Sequence, residues 1–147
     1  MRGHTSYEVV GSAADTEQQF YEALQQGDIE KLMAVWSDDD EIVCVHPGGP
    51  RVVGPRAIRS TFESMFANGP VNISFEKVQR LQMQGSAVHS VLERVQVSTQ
   101  EGKQTICVIA TNVYIKVAQG WRLVAHHASP GTQNEVREIV EPPAVLH

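Results

Sequence analysis

The feature that most constrains this chain is a run of four long strand-like segments in its second half, each closed by a glycine turn. They are Asn72 to Met83, Ala87 to Thr99, Gln104 to Val117 and Trp121 to Ala128, and the middle two are rich in Val, Ile and Thr. Gln84-Gly85, Glu101-Gly102 and Gln119-Gly120 separate them. Connections this short join only neighbouring antiparallel strands, so the segments predict a meander. The third segment is apolar on both faces: Ile106, Val108 and Ala110 alternate with Cys107, Ile109, Val113 and Ile115. A sheet with one wet face shows a cleaner alternation. One face is expected to pack on helices and the other on a second copy of the same sheet, giving a homodimer.

The first half reads as helices. Thr16 and Gln19 have the form of a capping box near Asp15-Thr16, followed by Phe20, Ala23 and Leu24 on one face and a stop at Gly27. Asp28 then caps a second helix, with Ile29, Leu32, Met33 and Trp36 at helical spacing. Glu41 to His46 reads as a strand, and Pro47-Gly48-Gly49-Pro50 as a loop. Gly54-Pro55 opens a third helix, with Ile58, Phe62, Met65 and Phe66 as its buried face and Asn68-Gly69-Pro70 as its end. Helices first and strands afterwards make an α+β domain over 13–130, with an N-terminal arm over 1–12 and a tail over 131–147.

Composition removes several functions. The net charge is −5 and the 12 Lys and Arg residues are scattered, so no nucleic-acid partner is expected. No apolar run approaches a membrane span and none near the start has signal-peptide length, which makes a cytoplasmic protein the expectation. Cys44 and Cys107 both lie in apolar runs and read as small hydrophobes rather than a disulfide.

The element order resembles the cone-shaped nuclear-transport-factor-2-like (cystatin-like) superfamily, which includes ketosteroid isomerases, polyketide cyclases, limonene epoxide hydrolases and a kinase association domain. Local features resemble its SnoaL-like, ketosteroid-isomerase-like branch. They are Trp36 followed by Asp38-Asp39-Asp40, Val43-Cys44-Val45-His46-Pro47-Gly48-Gly49, Gly54-Pro55-Arg56-Ala57-Ile58, and the final strand Gly120 to Ser129. The resemblance implies a curled sheet around the helices, a small-molecule pocket at the open end of the cone, and sheet-to-sheet dimers.

Within that frame the candidate catalytic residues are His127, Glu93 and His46. Glu93 shares its strand face with Val91 and Val95, with His89 four residues before it, and a carboxylate on an apolar face is desolvated and pushed toward neutrality. The plain alternative is that Glu93 faces solvent or pairs with Arg80, Arg94 or Arg122. His126 and His127 are neighbours on a strand and point to opposite faces. His127 shares its face with Leu123 and Ala125 and is taken as the inward one. Each histidine has the alternative of a core residue held by hydrogen bonds. Candidate ligand-binding residues are Trp36, Phe62, Met65, Phe66, His89, Thr111 and Tyr114. Asp38 to Asp40 are expected to form a solvated turn, and the Pro-Gly loop a pocket rim. Three imidazoles from His46, His89 and His127 could hold zinc, but nothing in their spacing preorganises such a site, so no metal and no cofactor are expected. The function expected is binding of a small apolar molecule, with isomerase, cyclase or dehydratase chemistry on a carbonyl compound. The alternative is a non-catalytic dimerisation or assembly module.

Overall fold

In the computed structural model, which describes residues 11–131 and 139–142, three helices pack on one face of a curved six-stranded sheet. The expected arm and tail fall largely on 1–10, 132–138 and 143–147, outside the described residues.

Helix α1 (Ala13–Gln26) begins earlier than its sequence suggests. Its N-cap is Ser12, and Ser12 and Asp15 form the capping box that Thr16 and Gln19 were expected to supply. Thr16 lies instead in the first turn, fully buried, and its hydroxyl donates to the Trp121 carbonyl at 3.1 Å. Gly27 takes the left-handed conformation (φ 64°) that ends α1. Asp28 immediately caps α2 (Ile29–Val35) by accepting from the Lys31 amide. Helix α3 (Pro55–Phe66) has proline in its first turn, as the sequence indicates. Arg59 ties it to α2 through a two-pronged pair with Glu30 at 2.9 and 3.0 Å.

Strands β3 (Ile73–Gln82), β4 (Ser86–Thr99), β5 (Gly102–Val117) and β6 (Gly120–Pro130) form the antiparallel meander. Beyond β6 lie β1 (Val43–Val45), which pairs with it in parallel, and β2 (Arg51–Val53), which pairs with β1. The sheet order is β2-β1-β6-β5-β4-β3. Strand β2 is an addition to the sequence reading, which runs from the Pro-Gly loop straight to α3.

The core centres on Phe20, which meets Tyr21, Trp36 and Phe62 edge-on at centroid separations of 5.1, 6.4 and 6.3 Å. Burying each such side chain contributes about 1.5–3 kcal/mol. Two irregularities bend the sheet. In β3 the pairing slips by one residue between Glu76 and Gln79, where Lys77 has φ 50°. In β6, Tyr114 pairs with Leu123 while Val113 pairs with Ala125, so Val124 is an extra residue, a β-bulge. Among the described residues no helix is long and apolar enough to cross a membrane.

Candidate functional site

The concave face of the sheet and the helices enclose an apolar cavity of about 360 Å³, within the usual range of small-ligand sites. Phe20 and Leu24 of α1, Phe62 and Met65 of α3, and Val95 and Val108 of the sheet give its apolar wall. Three ionisable groups also line it: Glu93 of β4, His126 of β6, and His46 at the end of β1. Among the described residues its wall carries no Lys or Arg.

Alternation along β4 turns Ala87, His89, Val91 and Glu93 inward. Glu93 is 4% exposed and accepts a hydrogen bond of 2.6 Å from the Tyr21 hydroxyl. Burial raises its pKa to about 7, partly offset by the Tyr21 bond and reinforced by the charge of Glu17. Tyr21 is held by stacking on Phe75 at 4.4 Å. Burial and the neighbouring Glu93 push the Tyr21 phenol well above its ordinary pKa, so it stays a donor.

His126 is 4% exposed, and its Nδ1 lies 2.5 Å from Oδ1 of Asn112. The Asn112 amide nitrogen is committed elsewhere, to Glu17 Oε2 at 3.2 Å and the Tyr21 hydroxyl at 3.1 Å. Burial lowers the His126 pKa to about 3, with the neighbouring histidines adding to the shift, so the ring is neutral. His46 is half-buried against Phe62 (centroids 5.1 Å apart), and burial lowers its pKa too. Burial, with Glu93 adding, pushes the Cys44 thiol up to about 12, so it remains a thiol.

Behind Glu93 and His126 lies a second layer of polar groups. The Tyr114 hydroxyl donates to Glu17 Oε2 at 2.8 Å, and His89 Nδ1 lies 3.0 Å from Glu17 Oε1. That last contact lacks hydrogen-bond geometry, and among the described residues neither His89 nitrogen has a hydrogen-bond partner. Among the described residues no group of three His, Cys, Asp or Glu side chains could hold a metal ion.

The structure therefore brings Glu93, His46, Phe62 and Met65 to one cavity and distributes the other expected residues elsewhere. His127 requires a correction. It is exposed on the convex face of the sheet, and His126 occupies the inward position. Trp121 and Leu123 point inward, but the extra residue Val124 flips the alternation, so His126 and Ala128 follow them. Thr111, paired with His127, is likewise exposed on the convex side. Trp36 is buried in the core beside Phe20 and borders a separate groove between α2 and α3. Phe66 packs behind Phe62. His89 and Tyr114 belong to the polar layer around Glu17 rather than to the cavity wall. Tyr21 and Glu17 were not singled out by the sequence. Their signal was available: both fall on the inward face of α1 with Phe20 and Leu24. Asp38 to Asp40 are exposed, and Pro47 of the Pro-Gly loop reaches the cavity wall.

Comparison with known proteins places the chain. A solved structure provisionally assigned as a calcium/calmodulin-dependent protein kinase type II association domain, from Thiobacillus denitrificans, shares 29% identity over 88% of this chain and 100% of its own, with a TM-score of 0.74. A provisionally assigned dehydratase of the NTF2-like family from Streptomyces avermitilis shares 25% identity over 82% of this chain and 95% of its own, also at 0.74. A ketosteroid isomerase-like protein from Erwinia carotovora atroseptica shares the fold at 18% identity, covering 80% of this chain and 92% of its own, with a TM-score of 0.69. No curated protein sequence matches the chain. The family model described as the SnoaL-like domain matches residues 14–133. With that match spanning most of the chain, and the cone-shaped fold agreeing with it, the protein belongs to the SnoaL-like domain family.

Proposed function

We propose that the cavity binds an uncharged, largely apolar carbonyl compound and moves a proton on it, with Glu93 as the general base. The observation that carries this reading is the setting of Glu93. It stands on a wall that is apolar but for His46 and His126, anchored by Tyr21, with its pKa raised to about 7. A base with that pKa is substantially ionised at neutrality and can also return the proton. His46 and His126 flank the same space as neutral imidazoles and orient the polar end of the ligand. The lack of Lys and Arg on the described wall disfavours carboxylate or phosphate ligands. Isomerisation, cyclisation and dehydration all begin with proton removal beside a carbonyl and need no bound cofactor.

The test is exchange of α-protons of 1-indanone and 2-tetralone into D2O, followed by proton NMR. The native protein is expected to accelerate exchange, with a rate that rises through pH about 7 as Glu93 ionises. Glu93→Gln is expected to lower that rate by roughly 100-fold or more. Equal rates with and without the carboxylate would remove Glu93 from the chemistry.

A second reading has one observation in its favour, the 29% identity to the provisionally assigned kinase association domain. In that reading the domain assembles copies of itself and the cavity is incidental. Self-association is compatible with both readings and does not tell them apart, whereas the exchange experiment does.

A further inference from the structure

The ring of His126 can face the cavity in two ways, as a donor or as an acceptor, and its neighbours decide which. Asn112 sits opposite His126 on β5, with its side chain in the buried layer. Its amide group has one orientation that satisfies every contact. The NH2 must face Glu17 Oε2 and the Tyr21 oxygen, because the carboxylate only accepts and the Tyr21 proton is given to Glu93. Oδ1 is thereby turned to His126 and can only accept. Nδ1 of a neutral His126 must carry the proton, which leaves Nε2 with a lone pair. Nε2 is not among the buried side-chain atoms lacking a partner, and the ring lines the cavity. Among the described residues no hydrogen-bond donor meets Nε2.

We infer that Asn112 is a specificity-determining positioning residue: by fixing the His126 tautomer it makes Nε2 a hydrogen-bond acceptor on the cavity wall, so that the site selects apolar ligands carrying a hydroxyl or N–H donor. The inference rests on the cavity described under the proposed function and narrows its substrate to an apolar carbonyl compound that also carries a hydroxyl. A ligand without a donor would bury the Nε2 lone pair unpaired, and sites built to bond a polar group discriminate against analogues lacking it. The Glu17 and Tyr21 contacts, which never reach the ligand, act through Asn112.

Two measurements test it. The first is nitrogen NMR of the native protein labelled with 15N-histidine, assigned by comparison with His126→Phe. A pyrrole-like Nδ1 and a pyridine-like Nε2 are expected between pH 5 and pH 8. The opposite tautomer, or a ring that protonates in that range, overturns the inference. The second is calorimetric binding at pH 8 of the matched probes 1-indanol and 1-indanone. The alcohol is expected to bind about tenfold more tightly to the native protein, and the preference should shrink to within about twofold in His126→Phe. In Asn112→Leu the preference should fall likewise while the ring signal becomes a mixture of tautomers. Should that variant not fold, the native spectrum and His126→Phe still decide the matter. Equal binding of the two probes, preference for the ketone, or binding of neither overturns the inference. Loss of proton exchange with the alcohol preference intact removes the catalytic reading alone.

Discussion

At the scale of single residues, Glu93 should reveal itself in the pH dependence of stability. Its carboxyl has a pKa of about 7 in the folded protein against an ordinary 4.5. The folded state therefore holds a proton that the unfolded chain has released between those values. The contribution is fully present below pH 4.5 and is lost as pH rises to about 7. His126 acts in the opposite sense. Its pKa falls from 6.5 to about 3, so its contribution is present above 6.5 and lost as pH falls toward 3. The two slopes oppose each other where they overlap, which would hide both in the native protein. The difference between native protein and Glu93→Gln isolates the first. Gln should gain stability relative to Glu by roughly 3 kcal/mol between pH 4.5 and pH 8. Urea denaturation at the two pH values measures it, and a difference independent of pH would mean that Glu93 is solvated. Glu93 was legible in the sequence because it shares a face with Val91 and Val95 on a regular strand. His126 was not. Deciding between it and His127 needs the parity of β6, and one inserted residue reverses parity without altering composition.

Among the elements, what a sequence shows depends on how many residues vote. The four long strands contain ten or more residues each and end at glycine turns, so their bounds emerge within about two residues of the structure. Strand β2 has three residues and follows a Pro-Gly loop, too little pattern to register. The start of α1 offers two competing boxes, Ser12/Asp15 and Thr16/Gln19, and local spacing alone does not choose. Tertiary packing chooses, because Thr16 is drawn under β6 to bond the Trp121 carbonyl. The two assignments make separable predictions. Ser12→Ala is expected to cost about 1 kcal/mol, the usual value of an N-cap. Thr16→Val is expected to cost a comparable amount, about 1 kcal/mol, for a different reason, since it removes a buried hydrogen bond to the Trp121 carbonyl, which then keeps Arg122 Nη1 as its side-chain donor. Thermal denaturation of the two variants and the double variant should show near-additive losses. A neutral Ser12→Ala would return the cap to Thr16. The bulge at Val124 governs function more directly than either. It places His126 opposite Asn112, and so determines which imidazole reaches the cavity.

For the whole molecule, the unresolved matter is what meets the convex face of the sheet. Glu93, Asn112 and Tyr114 point inward, so the intervening residues point out. They include Val88, Leu92, Ile109, Val113 and Ile115, which are half-buried within a single chain and lie on the adjacent strands β4 and β5. Contiguous apolar surface of this kind usually marks an interface. Its occupant is expected to be a second copy, because a twofold pairing lets the same patch cover itself. Val113 lies near the middle, between Val88 on one side and Ala125 on the other. Val113→Arg would set a charge and its twofold image against each other in an apolar contact, where an unpaired ion costs several kcal/mol. Sedimentation is expected to show the native chain at twice its monomer mass and Val113→Arg at the monomer mass, with an unchanged far-ultraviolet circular dichroism spectrum. His127→Phe, on the same face, should leave 1-indanol binding unchanged because the ring never reaches the cavity. A native chain that sediments as a monomer would leave this face to a different partner. A monomer would still bring Glu93, His46 and His126 to one cavity, since the described residues of a single chain place them there.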